Sequence, residues 1–275
     1  MGLESYYSHG FMTQVPQNLV STTTAFVEHT LSNYASSVLP YMLAAYDLTH
    51  AFLYKDIPMD ECFLRLGALD WHHHTLLLNH VARRASMIQG MALLSLYMRS
   101  FASDQDSVAS KAKTLMEGLR LRIRRGGAKL NNGALALSPL ELAGHLPICT
   151  GVFSCCMGLS RESMLRLNLF LQARNLMSCS IRLNTLGPYM AHQLLVRQLR
   201  QVVEHNIQQV SHHAAEKLYT RTKPLPSPDC ADEFDWDWPD DEVAASDLDC
   251  ASTTWPLGEI IQARHDQLHS RLFNS

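Results

Sequence analysis

The sequence predicts an all-α fold, a single-domain antiparallel helical bundle with a flexible acidic insertion before its C-terminal helix. Three observations predict it. Apolar residues recur at three- and four-residue spacing through most of the chain, and no stretch of useful length alternates with period two. Short breaks marked by Gly and Pro separate the helical runs, and short connections imply antiparallel neighbours. No internal repeat is present. The expected organisation is a helical domain over residues 1–221, a disordered acidic, Pro-rich insertion over 222–254, and a C-terminal helix of the same domain over 255–275.

Residues 1–55 read as helical, with Pro16 and Pro40 as punctuation. The run from Leu39 to Tyr54 is apolar, and Pro40 suits a first helical turn because its missing N–H is not needed there. Pro58 and Asp60 open a new segment. Residues 70–100 read as one long helix with Asp70 as N-cap, since Leu77, Val81, Ala85, Ile88, Ala92, Leu96 and Arg99 follow 3-4 spacing. Residues 101–112 are polar and connect it to a helix over 108–125. That helix ends in Arg120, Arg122, Arg124 and Arg125, which suit the negative end of a helix dipole, and Gly126-Gly127 stops it.

Residues 127–137 read as a loop. Ser138-Pro139-Leu140-Glu141 combines an N-cap, a first-turn Pro and a capping-box Glu, so a helix is expected from there to Met157, kinked at Pro147 and closed by Gly158. Ser160 caps the next helix, over 161–186. Gly187-Pro188 ends that one and starts another, over 188–217. Residues 222–254 differ in kind: Pro224, Pro226, Pro228 and Pro239 lie among Asp and Glu with few aliphatics, the composition of a solvated linker. Order returns with a helix from Trp255 to Phe273, begun by Pro256.

Composition excludes several functions. Apolar residues make up 47% of the 275, enough for a sizeable core, while charged residues make up 18%, below the roughly 25% usual in soluble domains. A surface short of charge suits a protein that binds partners. The net charge is −3, from 23 basic and 26 acidic residues, without the basic excess that phosphate binding demands, so nucleic acid is not an expected ligand. No apolar run reaches the roughly 18 residues that span a membrane, and the start lacks a secretory layout. Seven irregularly spaced cysteines without a C-x-x-C pair read as free thiols in a reducing, cytoplasmic setting.

No phosphate-binding Gly-x-x-x-x-Gly-Lys-Ser/Thr occurs, no Gly-x-Ser-x-Gly elbow, no cysteine pair at zinc spacing, and no paired carboxylates in an apolar helix. Nothing points to an enzyme. What is present is polar patterning. Asn168, Gln172, Asn175, Cys179 and Arg182 form one stripe along the helix 161–186, with Arg174 and Ser178 beside it. Amides and arginine in such a row suit an interior network or a protein contact; a solvent-facing stripe is the competing reading. Asn79, Arg83, Ser86, Gln89 and Gly90 repeat the theme in the helix 70–100. Gly90 there costs about 1 kcal/mol relative to Ala, which close approach of a neighbouring helix would offset.

The 14 histidines include His72-His73-His74, which fan over about 200° if helical and so cannot all grip one ion. His212-His213 is similar. His265 and His269 have the i, i+4 spacing that lets two imidazoles share a metal, although such pairs also arise by chance in a His-rich chain.

These polar segments carry a family resemblance. Residues 78–90, Leu-Asn-His-Val-Ala-Arg-Arg-Ala-Ser-Met-Ile-Gln-Gly, resemble the N-x-x-A-R-x-A-S-x-x-Q-G signature of the urease accessory UreF proteins. Gly144 to Gly151 resembles their G-H-x-x-x-x-x-G. The run from Phe170 through Gln172, Arg174 and Ser178 to Arg182 is similar to F-x-Q-A-R-x-L-x-S-x-x-x-R. Arg264 to Ser275 is similar to R-H-x-x-x-x-S-R-L-F-x-S, and Gly2-Leu3-Glu4-Ser5 to G-L-E-S. The segments fall in family order from residue 2 to residue 275, and the acidic insertion resembles the fungal branch. His269 stands where the family often has Tyr. A segment like S-D-S-x-x-P-x-G-x-F-x-x-S, which precedes G-L-E-S in the family, does not precede it here, so a truncated gene model or an isoform is expected.

The resemblance implies an all-α, dimeric, non-catalytic scaffold. It would bind a UreD-type accessory protein (also called UreH), recruit the GTPase UreG, and dock on apo-urease to deliver nickel. No cofactor would be tightly bound, nickel being in transit. It implies partner-binding residues at Arg264, His265, Leu268, Ser270, Arg271, Leu272 and Phe273, with Gly2, Leu3 and Glu4. It implies core or interface polar residues at Arg83, Ser86, Gln89, Gly90, Gly144, His145, Gln172, Arg174, Ser178 and Arg182. The alternative is a metallochaperone that binds nickel itself through His265 and His269.

Overall fold

The computed structural model describes residues 2–12, 19–133, 137–138, 141–212 and 253–272. Among them the chain is all-helical and forms a single domain. The helices are α1 (Gly2–Ser8), α2 (Leu19–Ser37), α3 (Leu39–Tyr54), α4 (Met59–Leu76), α5 (His80–Ser100), α6 (Ser107–Asn131), α7 (Leu146–Cys156), α8 (Arg161–Arg182), α9 (Pro188–Val196), α10 (Gln198–His212) and α11 (Pro256–Ala263), with a 3₁₀ turn at Arg264–Gln267. No helix among the described residues is long and apolar enough to cross a membrane.

Two helices make the centre. α3 is apolar on nearly every side, and Tyr41, Met42, Leu43, Ala45, Leu48 and Leu53 are all buried, as a helix without a polar face must be. α7 is its partner, with Ile148, Cys149, Val152 and Cys155 buried. Gly151 lets them touch: a methyl there would overlap the Met42 carbonyl oxygen. Each large aliphatic side chain in this core contributes about 1.5–3 kcal/mol of transfer free energy. The remaining helices pack around the pair.

Several local expectations hold. Pro40 lies in the first turn of α3, and Ser160 caps α8 by accepting the Ser163 N–H at 3.2 Å. Others are overturned. The expected helix over 70–100 is two helices. Leu77 turns out of α4 at φ −80°, ψ 82°, and Asn79 starts α5 by accepting the Val81 and Ala82 N–H groups at 3.0 and 3.2 Å. Asp70 is therefore no N-cap but a fully buried residue within α4.

α6 does not stop at Gly126. It runs to Asn131, and a methyl at Gly126 would overlap the Leu142 carbonyl oxygen, so the missing side chain serves a close approach rather than a helix end. Residues 141–145 are not helical. α7 begins at Leu146, with Pro147 in its first turn instead of kinking its middle. Glu141 does accept the Ser138 N–H, at 3.1 Å, but within a turn; Pro139 and Leu140 lie outside the described residues. The helix expected over 188–217 is broken at Arg197 into α9 and α10. The last helix ends at Ala263, not Phe273, and irregular chain follows the 3₁₀ turn from Leu268. The expected acidic insertion lies, apart from residues 253 and 254, outside the described residues, as do His213 and Phe273.

Candidate protein-docking surface

The C-terminal segment from residue 253 is held on the body by polar contacts from helices distant in sequence. Asn33 of α2 accepts the Thr254 and Trp255 N–H groups at 2.8 and 3.1 Å and donates to the Glu259 carboxylate at 3.1 Å. The Trp255 ring closes an aromatic cluster with Tyr6, Phe26 and His29. Ser5 of α1 donates its hydroxyl to the Ile261 carbonyl at 2.6 Å. Asn79, the cap of α5, donates to the Glu259 carbonyl at 3.4 Å. Asp266 faces Arg84 and His80 at 3.3 Å each, and Arg271 at 3.0 Å.

Beneath this segment lies a buried pair. Glu4 Oε2 is 2.7 Å from His265 Nε2, and Glu4 Oε1 accepts the Leu272 backbone N–H. Glu4, Leu3 and His265 are buried. Of the residues implied to bind a partner, these three therefore face inward, and a methyl added at Gly2 would meet Phe26 and Gln262 at ordinary contact distance. Arg264, Ser270, Arg271 and Leu272 are exposed, and Leu268 is half-buried. The helical i, i+4 arrangement that would let His265 and His269 share a metal is not formed. α11 ends before either residue, His265 is committed to Glu4, and His269 is exposed on a bend beyond the 3₁₀ turn. Among the described residues no group of three or more His, Cys, Asp or Glu is placed to hold a metal ion.

The outward side of the segment carries large apolar side chains among its polar ones. Leu257, Ile260 and Leu272 are exposed, Ile260 and Leu272 by about 60%. The corner between α4 and α5 adds Leu76 and Leu78, the latter 86% exposed, and α5 adds Ile88. The Asn79–Glu259 contact puts this corner beside α11. Arg84, Arg264 and Arg271 border the area. Large exposed apolar side chains grouped inside a polar rim mark an interaction site rather than ordinary surface. Sequence reasoning missed the Leu76–Leu78 corner. Its signal was three leucines directly before an Asn cap, which the 3-4 pattern absorbed into a longer helix.

The residues of the other motifs build the interior that carries this surface. Asp70 accepts three consecutive backbone N–H groups, from Ala143 at 2.5 Å, Gly144 at 3.0 Å and His145 at 2.8 Å. Burial pushes its carboxyl above the ordinary range, opposed by those three donors and by nearby His73. Gly144 has φ +84°, a region in which glycine is unstrained, and its bare Cα leaves room for Ile123. A methyl on Gly90 would overlap the Gly144 carbonyl oxygen. Ser86 accepts the Leu146 N–H at 3.0 Å and pairs with His145 Nδ1 at 3.2 Å, while His145 Nε2 meets His74 Nδ1 at 3.0 Å. Burial, aided by His145 and His74 respectively, lowers both His73 and His145 to about 3, so both rings are neutral at pH 7. Arg83 donates twice to the Leu77 carbonyl, at 3.0 and 2.7 Å, and so shapes the exposed corner from within. Gln89 is exposed.

On α8 the polar stripe itself divides, with Asn175 and Arg182 exposed and its other members turned toward the body. Gln172 turns inward and hydrogen-bonds the Tyr34 hydroxyl of α2, Asn168 bonds its own helix at Met164, and Cys179 is buried. Arg174, Ser178 and Arg182 are exposed, beside exposed Leu167, Phe170 and Leu171. Between α8 and α10 runs a groove of about 650 Å³ lined by Leu167, Phe170, Leu195, Val196, Leu199 and Val203. Arg166 bridges its edge to Glu204 with two contacts of 3.0 Å.

Comparison with known proteins follows this geometry. A family model described as UreF matches residues 20–199. Over 306 positions the chain is 30% identical to urease accessory protein 6 of the fungus Cryptococcus neoformans var. grubii, covering all of this chain and 90% of that protein. It is 26% identical over 223 residues to urease accessory protein F of rice, Oryza sativa of both the indica and japonica subspecies, covering 80% of this chain and 71% of each relative.

Proposed function

The chain belongs to the UreF family of urease accessory proteins, and from that premise we propose that it is a scaffold joining a UreD-type protein and a UreG-type GTPase to apo-urease for nickel delivery. It is a non-catalytic accessory protein; the assembly it forms is the proposal. The observation that carries it is the exposed apolar area made by Leu257, Ile260 and Leu272 with Leu76 and Leu78, rimmed by arginines. Leaving these side chains in water costs free energy that a partner surface recovers.

We assign this area, with Arg264, Leu268, Ser270, Arg271 and Phe273, to the UreD-type partner. Residues 255–275 are then the docking tail of the helical domain over 1–221, with 222–254 as an acidic linker between them. Apolar centre and charged rim are the usual anatomy of an interface whose binding energy sits in a few residues. The second exposed face, with Phe170, Leu171, Arg174, Ser178 and Arg182 on α8, we assign to the homodimer contact and to the GTPase-facing side. The supporting observation is that exposed aromatic, aliphatic and arginine side chains share one helix face beside an apolar groove. Nickel is cargo in this reading.

The test is co-purification. The full chain, mixed with UreD- and UreG-type partners, should elute as a ternary assembly, and removing residues 264–275 should eliminate the UreD-type protein from it. Retention of that partner by the shortened chain would reject the assignment of the tail.

A further inference from the structure

We propose that Glu4 is a positioning residue that presents the C-terminal docking segment to its partner, acting through His265 and the Leu272 amide without reaching the partner itself; the inference rests on the docking role given to that segment.

The two oxygens of Glu4 hold two separated points of the segment. Oε2 engages His265 Nε2 at 2.7 Å, and Oε1 accepts the Leu272 N–H. Its neighbour Ser5 holds a third point, the Ile261 carbonyl. One short helix thus fixes the segment at 261, 265 and 272, through the end of α11, the 3₁₀ turn and the irregular chain beyond it. Beyond the end of α11 only the 3₁₀ turn and irregular chain lie between those points, so the path of the chain there depends on what it rests against.

His265 makes the dependence sharp. Its ring is fully buried, and its Nδ1 has no hydrogen-bond partner among the described residues. Glu4 therefore supplies the polar contact that lets the imidazole be buried at all. With Glu4 truncated, His265 Nε2 and the Leu272 amide would lose their Glu4 partner while Nδ1 already has none, and these groups find water by lifting the segment away. Glu4 is itself only 4% exposed under the seated segment, so a partner landing on Ile260, Arg264 and Leu272 does not touch it. A change at Glu4 can reach the partner only through the path of the segment.

A glutamine at position 4 keeps one acceptor. It can still take the Leu272 N–H, while its amide donates to His265 Nε2 and leaves an Nδ1–H buried without an acceptor. Its effect should fall between wild type and Ala.

The test uses the full chain as wild type, Glu4→Gln, Glu4→Ala, His265→Ala, the Glu4→Ala/His265→Ala double variant and a 264–275 deletion. Tryptic cleavage after Arg264 and Arg271, both exposed, reads the seating of the segment, calorimetry with the purified UreD-type protein reads docking, and far-UV circular dichroism reads the helical body. Glu4→Ala should speed cleavage at both sites and weaken docking, each about tenfold, with helicity retained. Glu4→Gln should fall in between, and the double variant should dock no more weakly than the weaker single variant, as expected for two residues acting along one path. Unchanged cleavage in both Glu4 variants would overturn the inference. So would a segment freed by Glu4→Ala that docks with wild-type affinity, provided the deletion abolishes docking. Docking that survives the deletion overturns the assignment of the tail, and this inference with it, whatever the cleavage rates show.

Discussion

Asp70 Oδ1 lies 2.8 Å from the backbone nitrogen of His145, a hydrogen bond across 75 residues that ties the middle of α4 to the start of α7. The same carboxylate takes the N–H groups of Ala143 and Gly144. Replacing Asp70 with Ala leaves three buried donors unpaired at about 1–3 kcal/mol each before relaxation, so the variant should lose at least ~3 kcal/mol of stability. Asp70→Asn, which keeps one acceptor oxygen, should lose less. Urea denaturation followed by circular dichroism gives both values, and a loss under ~1 kcal/mol for Asp70→Ala would refute this account of residues 141–145.

Two glycines should respond in opposite directions. Gly90→Ala places a methyl against the Gly144 carbonyl oxygen, with Cys149 Sγ at 3.0 Å. The gain of ~1 kcal/mol in helix propensity is outweighed by overpacking that typically costs ~1–3 kcal/mol, so thermal stability should fall. Gly127, in the same stretch of α6 as Gly126, has nothing within 4 Å of an added methyl. Gly127→Ala should raise stability by up to ~1 kcal/mol. Parallel melting curves decide both.

Acid should destabilise the fold well before carboxylates dominate its titration. His73 and His145 are held near 3 when folded, against about 6.5 in an unfolded chain, because burial disfavours the charged ring. The unfolded state therefore binds protons first. The stabilisation is complete above pH ~6.5 and declines as pH falls from there toward 3, by roughly 2 kcal/mol per ring at pH 5. Urea midpoints at pH 7.5 and 5.0 should separate accordingly, and equal midpoints would contradict the neutral, buried state of these rings.

Leu78 and Ile260 should matter for docking and not for folding. Both are more than half exposed, and surface substitutions away from caps and networks usually change stability by less than ~0.5 kcal/mol. Leu78→Asp and Ile260→Asp should each weaken capture of the UreD-type protein about tenfold or more, as removal of a central apolar contact does. A pull-down with quantified partner, beside an unchanged melting temperature, is the measurement. Undiminished capture by both variants would place the docking area elsewhere.

The exposed face of α8 makes a separate demand. Phe170→Asp should shift the chain toward monomer in light scattering, and Arg174→Ala should lower urease activation in a reconstituted assay while the chain stays folded. A wild-type oligomeric state in the first and full activation in the second would remove this face from the assembly.

Much of this protein is readable one helix at a time. The all-helical class, the Ser160 cap, the first-turn Pro40 and the apolar run of α3 follow from local chemistry, since capping, ring geometry and the 3.6-residue period act within a few residues. The family follows too, because its signatures are short and ordered along the chain. The tertiary structure decided what those residues do for one another. Asp70 has the composition of a helix cap, yet burial delivers it to amides some 70 residues away. Gly126 looks like a stop and is a point of close approach, and His265 looks like half of a metal pair and is the buried partner of Glu4. A donor's choice among distant acceptors depends on which groups are desolvated together, and desolvation is a property of the packed chain, not of any window along it.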